Sequence, residues 1–343
     1  MKILVIGSKN NNAIERYYLQ HLSQHNDISH VEFYGAHDVF LNYYNRNVVN
    51  KFLYRFKLSR ILYVINSKIK KKISAFKPDV LLVFKGMEIF PDTLQWIKKK
   101  SVFIVNYNTD NPFVFSGRGS GNINIKKSIS LYDLFISYDK EISELVKNKF
   151  AIDTFVLPFA FENVFNKSSS FSVINKLCFI GNEDKERLMF INQLANKGVP
   201  IDLFGYWKKK KLHQGINYCG KLENDNLFEY MSRYRVQLNL LRSHNRDSHN
   251  MRTFEIPAAG SIQLAPFTDD HLSFFESDKE IFLFTDVNDC FNQINKILSF
   301  EKVVADQHLA NSRSRLLNSN YSYIDRTISL VEVIKNKYEQ KVR

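Results

Sequence analysis

The sequence predicts an α/β protein of two Rossmann-like, doubly wound domains facing across a cleft, with a C-terminal helix packing back across both. Three observations carry this. Short apolar, β-branched runs alternate with segments of helical period along all 343 residues, the pattern of parallel strands joined by crossover helices. The pattern starts afresh after a polar stretch, Asn166-Lys167-Ser168-Ser169-Ser170. The length suits two domains at roughly 150 residues each.

In the first half the strand candidates are Lys2–Gly7, Val31–Tyr34, Val80–Phe84, Val102–Asn106, Leu134–Ser137 and Thr154–Pro158, with helices at Ala13–Gln24 and Lys140–Lys149. The second half offers strands at Leu177–Gly181, Ile201–Gly205, Val236–Leu241, Ser261–Ala265 and Ile281–Phe284. Helices fall between them at Lys185–Lys197, Leu227–Arg233, Arg252–Ala259 and Val287–Leu298. The tail from Glu301 to Lys341 reads as wholly helical. The domain boundaries implied are 1–165, 170–320 and a closing helix at 321–343. Ligands of such sheets bind at the carboxyl ends of the strands.

Composition narrows the class. Apolar residues make up 44% and aromatics 14%, which excludes a disordered chain. Twelve Gly and seven Pro exclude collagen-like and low-complexity architectures. No apolar run approaches the ~18 residues of a bilayer-spanning helix, and the opening MKILVIGSKNNN is too short for a signal h-region. Cys178, Cys219 and Cys290 lie far apart without a CxxC pair, so neither a disulfide framework nor a zinc site is indicated. A reducing, cytoplasmic setting fits.

The charge is lopsided. Residues 1–165 hold 23 basic and 14 acidic side chains, a net +9 out of the chain's +13. Lys51–Lys77 alone carries nine cations and no acid: Lys51, Arg55, Lys57, Arg60, Lys68, Lys70, Lys71, Lys72 and Lys77. Its apolar residues recur at steps of three and four, so it reads as one amphipathic helix. The apolar stripe packs on a sheet, and the basic face either stays solvated or meets anionic lipid headgroups or a polyanionic acceptor, peripherally at the inner face of the cytoplasmic membrane. Nucleic acid is disfavoured, because no zinc-finger spacing or RNP-type aromatic motif accompanies the charge.

The richest segment is Asp247-Ser248-His249-Asn250-Met251-Arg252-Thr253-Phe254-Glu255-Ile256-Pro257-Ala258-Ala259-Gly260. A helix opening at Arg252 would present free N–H groups and positive potential to an anion. Arg252 adds a forked cation suited to phosphate. Glu255, one turn on, is placed to accept from a ribose diol, and Gly260 lets the chain leave the helix. His249 reads either as a contact to a diphosphate or donor sugar, or as a structural histidine.

This segment resembles the C-terminal-domain motif of GT-B glycosyltransferases, and within them the spore-maturation (CgeB-like) group, at Met251 to Ala258; Ala259 and Ser261 depart from the pattern. The resemblance extends to Cys178-Phe179-Ile180-Gly181-Asn182 with Glu186-Arg187, to Asp202-Leu203-Phe204-Gly205-Tyr206-Trp207, and to Tyr218-Cys219-Gly220-Lys221-Leu222. It also covers Leu157-Pro158-Phe159-Ala160, and Asn320-Tyr321-Ser322-Tyr323 with Arg326. It spans residues 175–330 well and the first half loosely. It implies a nucleotide-sugar donor, UDP in preference to GDP, held by the second half. Glu255 would lie on the ribose, with Arg252, Thr253, Phe254 and His249 about the diphosphate, and Gly181, Arg187, Gly205 and Tyr206 lining the site. Gly220, Lys221 and Leu222 would border the base. Asp247 falls where such enzymes carry the first Glu of an E-x7-E pair, near the donor sugar.

For an inverting transfer the acceptor hydroxyl needs a general base. Asp110, in Asn106-Tyr107-Asn108-Thr109-Asp110-Asn111-Pro112, is the first candidate and Glu88, after Val80–Phe84, the second; an Asx-turn is the structural alternative for Asp110. The glycine-rich Ser116–Gly121 lacks phosphate-loop spacing and reads as an acceptor-side loop. No metal constellation or cofactor motif is visible, and helix N-termini and the basic balance can neutralise a diphosphate without one. The expected activity is transfer of a sugar from a nucleotide donor to a hydroxyl of a glycan or of a lipid-linked surface-polysaccharide precursor. Two rivals stand beside it: a nucleotide-sugar epimerase on the same fold, and a non-enzymatic module binding anionic glycan or nucleic acid.

Overall fold

A computed structural model describes the chain except residues 11–12, 115–121, 163–171, 223–226, 246 and 343. The loop Ser116–Gly121 and the stretch 166–170 thus lie outside the described residues. The chain divides into two units, Met1–Pro158 with Tyr323–Arg343, and Phe159–Ser322. The division falls at Pro158 rather than at the polar stretch.

The first unit runs β1 (Lys2–Ile6), α1 (Glu15–Leu22), β2 (His30–Tyr34), α2 (Ala36–Arg46), α3 (Val48–Arg55), α4 (Ile61–Phe76), β3 (Val80–Phe84), α5 (Pro91–Lys98), β4 (Phe103–Asn108), α6 (Ile123–Ser128), β5 (Leu134–Ser137), α7 (Lys140–Phe150) and β6 (Asp153–Val156). Its sheet has the order β2-β1-β3-β4-β5-β6, every pair parallel. The central strands are apolar without alternation, because a parallel sheet is covered on both faces. Residues 3–6 and 80–84 are all buried accordingly. The direction of travel reverses between β1 and β3. That is the switch point where the carboxyl ends of neighbouring strands open a crevice.

The second unit runs β7 (Ile174–Ile180), α8 (Lys185–Asn196), β8 (Ile201–Phe204), β9 (Ile216–Gly220), α9 (Leu227–Ser232), β10 (Tyr234–Leu238), α10 (Arg252–Ala259), β11 (Ile262–Pro266), α11 (Asp269–Phe274), β12 (Phe282–Phe284), α12 (Val287–Leu298) and α13 (Lys302–Asn318). Its order is β12-β11-β10-β7-β8-β9, again parallel, with the switch between β7 and β10. Asp184 caps α8 by accepting from the N–H of Glu186 and Arg187, and Asp286 caps α12 in the same way. Gly205 is required by geometry. Its φ is +126°, and a Cβ there would stand 2.1 Å from the Gly181 carbonyl oxygen.

Three expectations are corrected. The single basic helix is two. Leu58 N–H returns to Leu53 O, Lys57 adopts φ +60°, and Ser59 Oγ caps Ile61 N–H, so α3 ends and α4 begins anew. Edge strand β9 was not expected. Its alternating half-exposed residues, with a Cys and a Gly, give a weak apolar signal. The helical tail breaks at Ser319–Ser322, where Asn320 sits at φ +55° and Tyr321 O accepts from Phe161 N–H. The helix beyond, α14 (Tyr323–Val342), belongs to the first unit while α13 belongs to the second. Tyr323 stacks on Tyr17 at 4.5 Å within the first unit. Tyr321, two residues earlier, packs on Phe254 at 5.2 Å within the second.

Candidate functional site

The second unit gathers positive charge at its switch point. Arg187, in the first turn of α8, is 9% exposed. Its guanidinium donates to Leu240 O (2.5 Å) beyond β10 and to Asn182 O (3.2 Å) beyond β7, bridging both sides of the crevice. Asp184 lies 3.4 Å away and the Phe179 ring 5.5 Å beneath. Burial lowers the Arg187 pKa to about 10, against the pull of Asp184, and the nearby charges of Arg242 and Arg252 press the same way. Arg242 and Arg252 both lie within electrostatic reach of the buried Arg187. Arg187 is balanced by Asp184 and Arg242 is exposed, so the cluster is open to an anion from solvent.

Arg252 pairs with Glu255, which is 2% exposed. The Arg252 Nε is buried without a partner among the described residues, a donor left for an acceptor to fill. Around the same rim, Tyr206 N–H donates to Asn182 Oδ1 (3.1 Å) and Trp207 Nε1–H to Gly181 O (2.7 Å). Tyr206 stands 62% exposed with Lys221 Nζ 5.6 Å from its ring. Gly220 ends β9 with open space where a Cβ would be, and Leu222 is half-buried beyond it. Asp247 is exposed.

Several expected ligand contacts are structural instead. His249 is fully buried. Its Nε2 accepts from Phe159 N–H (3.2 Å), which fixes the proton on Nδ1, where it is given to Asp270 (2.7 Å). Both ring nitrogens are thus engaged inside the unit. Thr253 Oγ1 bonds Asn239, Asn250 and His271, and its side chain is buried. Phe254 is buried against Phe274 (5.0 Å) and Tyr321 (5.2 Å). The free N–H groups expected at the start of α10 are also taken up. Thr253 N–H goes to Asn250 O, and those of Phe254 and Glu255 go to Met251 O. Positive charge here comes from arginine side chains, not from an open helix end. Gly260, at φ +83°, closes the helix.

The first unit assembles a second polar cluster at its own switch point. His37 Nδ1 meets Glu88 Oε1 at 2.7 Å, and Lys85 Nζ meets Asp110 Oδ2 at 2.7 Å. Glu15 accepts from Ser8 N–H (3.3 Å). Asn66 of α4 fixes the Glu88 loop by donating to Glu88 O (2.9 Å) and accepting from Phe90 N–H (2.9 Å). Burial raises the Glu15 pKa, opposed by its backbone hydrogen bonds and by Lys85 and His37. Burial alone would lower that of His37. The hydrogen bond and charge of Glu88 outweigh it and leave His37 raised above 6.5. Both carboxylates expected as the base are committed, Asp110 to Lys85 and Glu88 to the ring. His37, Glu15 and Arg242 were not singled out from sequence. A His-Asp pair directly after a strand and a glycine, at Gly35-Ala36-His37-Asp38, was the legible signal for the first of them.

Of the basic face, Lys72 is tied to Glu32 (2.9 Å) and Lys70 lies 5.6 Å from the Trp96 ring, whereas Arg55, Arg60, Lys68 and Lys71 are exposed. Among the described residues no helix is long and apolar enough to cross a membrane, and no three His, Cys, Asp or Glu side chains are grouped as metal ligands.

The folds of solved proteins match this chain along its length. HepE of Anabaena, solved with UDP and glucose, superposes with TM-score 0.66 at 12% identity, covering 98% of this chain and 100% of that one. Sucrose-phosphate synthase of Thermosynechococcus elongatus gives 0.68 at 11%, covering 99% and 100%. A putative UDP-N-acetylglucosamine 2-epimerase of Listeria monocytogenes gives 0.61 at 12%, covering 99% and 97%. No curated protein matches by sequence. Two six-stranded parallel sheets with this order and these neighbours define the GT-B class of fold. Within that class, residues 187–332 match the sequence pattern of a family described as glycosyl transferase-like, so the resemblance of the sequence to GT-B glycosyltransferases stands.

Proposed function

We propose that this protein is a glycosyltransferase that moves a sugar from UDP to a hydroxyl of a glycan or of a lipid-linked surface-polysaccharide precursor. The observation that carries the reading is the buried Arg187 bridging the switch point of the second unit, with Arg242 and Arg252 within its electrostatic reach and Arg252 paired to a buried Glu255. A nucleotide diphosphate is an anion these guanidinium groups can bind through charge-assisted hydrogen bonds. Glu255 orients Arg252 and reaches the ribose once the diphosphate draws Arg252 away. Lys221, Tyr206 and Leu222 border the base. With arginines supplying the positive charge, the reading needs no metal.

The general base in this reading is His37. Glu88 holds its Nδ1 and stabilises the imidazolium formed when the ring takes the acceptor proton at Nε2. Lys85 holds Asp110 on the same rim. The basic surface of the first unit brings the protein to the membrane that carries the acceptor.

The test is a thermal-shift screen with UDP, GDP and their sugars. Nucleotide at 100 times its dissociation constant stabilises by about 2.7 kcal/mol. Absence of a shift with every nucleotide overturns the reading. The likeness to the epimerase of Listeria favours one rival. Incubation with UDP-sugar alone decides between them, since an epimerase converts the donor without any acceptor.

A further inference from the structure

The corner between α3 and α4 has an apolar face that is exposed among the described residues. Val48 is 80% exposed, Phe52 55%, Phe56 57% and Leu58 66%. No residue of α3 is buried. The helix is nonetheless fixed. Tyr54, on its other side, packs against Phe40 at 4.8 Å and Tyr44 at 5.8 Å. Positions 48, 52 and 56 recur at the spacing of one helix face, and the Phe52 and Phe56 rings touch at 4.3 Å. Such a contiguous exposed patch is uncommon on a soluble monomer and marks an interaction surface.

The charge around it names the occupant. From Val39 to Pro78 there is no acidic residue, while Arg46 and the nine cations of Lys51–Lys77 lie in the same stretch. Lys51, Arg55, Lys57 and Arg60 are exposed beside the apolar side chains. Phenylalanine and leucine tips on a convex helix, ringed by Lys and Arg, have the chemistry of an interfacial anchor. A second copy of the chain would bring the same positive charge against itself.

We propose that this corner docks the protein on an anionic lipid bilayer. Phe52, Phe56 and Leu58 enter the boundary between headgroups and acyl chains, and Lys51, Arg55, Lys57 and Arg60 lie on the headgroups. The anchor differs from the basic face read from sequence, because the isoleucine stripe of α4 is core: Ile65, Ile69 and Ile73 are buried. The inference deepens the membrane part of the reading above and is independent of the donor site.

The experiment is co-sedimentation of the full chain, without nucleotide, with vesicles of phosphatidylcholine and with vesicles in which about one-third is phosphatidylglycerol. Binding to the anionic vesicles, falling at least about tenfold in Phe52→Glu/Phe56→Glu, is the expected result. An unchanged melting temperature and far-ultraviolet circular dichroism spectrum show that the variant is folded. As a second readout, Phe56→Trp should shift its emission to the blue on the anionic vesicles and be quenched by brominated acyl chains. Failure of the wild type to sediment, undiminished binding by the double variant, or a dimer of the wild type that the double variant dissolves overturns the proposal. None of those results bears on UDP binding, and loss of UDP binding leaves this proposal standing.

Discussion

The Nδ1 of His37 lies 2.7 Å from Oε1 of Glu88, two residues brought from the ends of β2 and β3 to one side of the first sheet's switch point. The pair is the acid–base device of the proposed reaction. Replacing His37 by Gln should lower kcat by about 10²–10⁴ while leaving UDP-induced stabilisation unchanged. A full-rate His37→Gln enzyme in a sugar-transfer assay would remove the histidine from the mechanism.

The pH dependence of that pair has a definite sign. The folded His37 pKa lies above 6.5, so its ion pair stabilises fully below 6.5 and that contribution is lost as pH rises through the folded value. Catalysis needs the neutral ring, so kcat/KM should rise with pH through the same raised pKa. Glu88→Gln removes the two largest influences that raise it and leaves burial and the charge of Lys85, which lower it, against the charge of Glu15 alone. The ascending limb of the pH–rate profile should therefore move to lower pH in Glu88→Gln. An unmoved limb assigns it to another group.

Arg252→Ala should weaken UDP binding by about 10- to 100-fold, the equivalent of ~1.5–3 kcal/mol for bonds to a charged group. Isothermal titration with UDP measures this directly. The substitution also leaves the buried Glu255 without its cation, so the unliganded melting temperature should fall as well, and the dissociation constant is read below that transition.

Treatment with EDTA should leave sugar transfer at its initial rate, since arginines carry the counter-charge in the proposed site. An activity abolished by chelation and restored by Mg²⁺ or Mn²⁺ would show that a metal shares that task.

His271 supplies an acid-stability test in the second unit. Burial lowers its pKa to about 4, although a bond to Pro266 O and the charge of Asp270 oppose this. The unfolded chain therefore binds a proton between pH 6.5 and 4 that the folded chain refuses, and stability falls with pH across that window by up to about 3 kcal/mol. His271→Gln should lose stability at neutral pH through its broken bond to Thr253, and show a flatter decline toward acid in denaturant titrations.

Much of this was legible along the chain. The apolar runs of β1, β3, β7 and β10 announce buried parallel strands, since burial on both faces forbids alternation. The helix at Arg252–Ala259 was readable to the residue, from the polar residues before it and Gly260 after it. β9 was not readable, because an edge strand needs little apolar surface. The break at Phe56–Arg60 was missed because the apolar spacing continues through it, and only the local hydrogen bonds of Leu58 and Ser59 interrupt the helix.

The sequence alone determined the α/β class, the places of most strands and the helix Arg252–Ala259, because these depend on periodicity and on short-range backbone chemistry. Tertiary structure decided which polar groups have partners. It drew His249 and Thr253 into the core of the second unit, joined His37 to Glu88 across 51 residues, brought Arg242 and Arg252 within electrostatic reach of Arg187, and left Phe52 and Phe56 exposed. A side chain's exposure and its charged neighbours are set by strands distant in sequence. The energy of a buried charge or an orphaned donor therefore exists only once those strands are side by side.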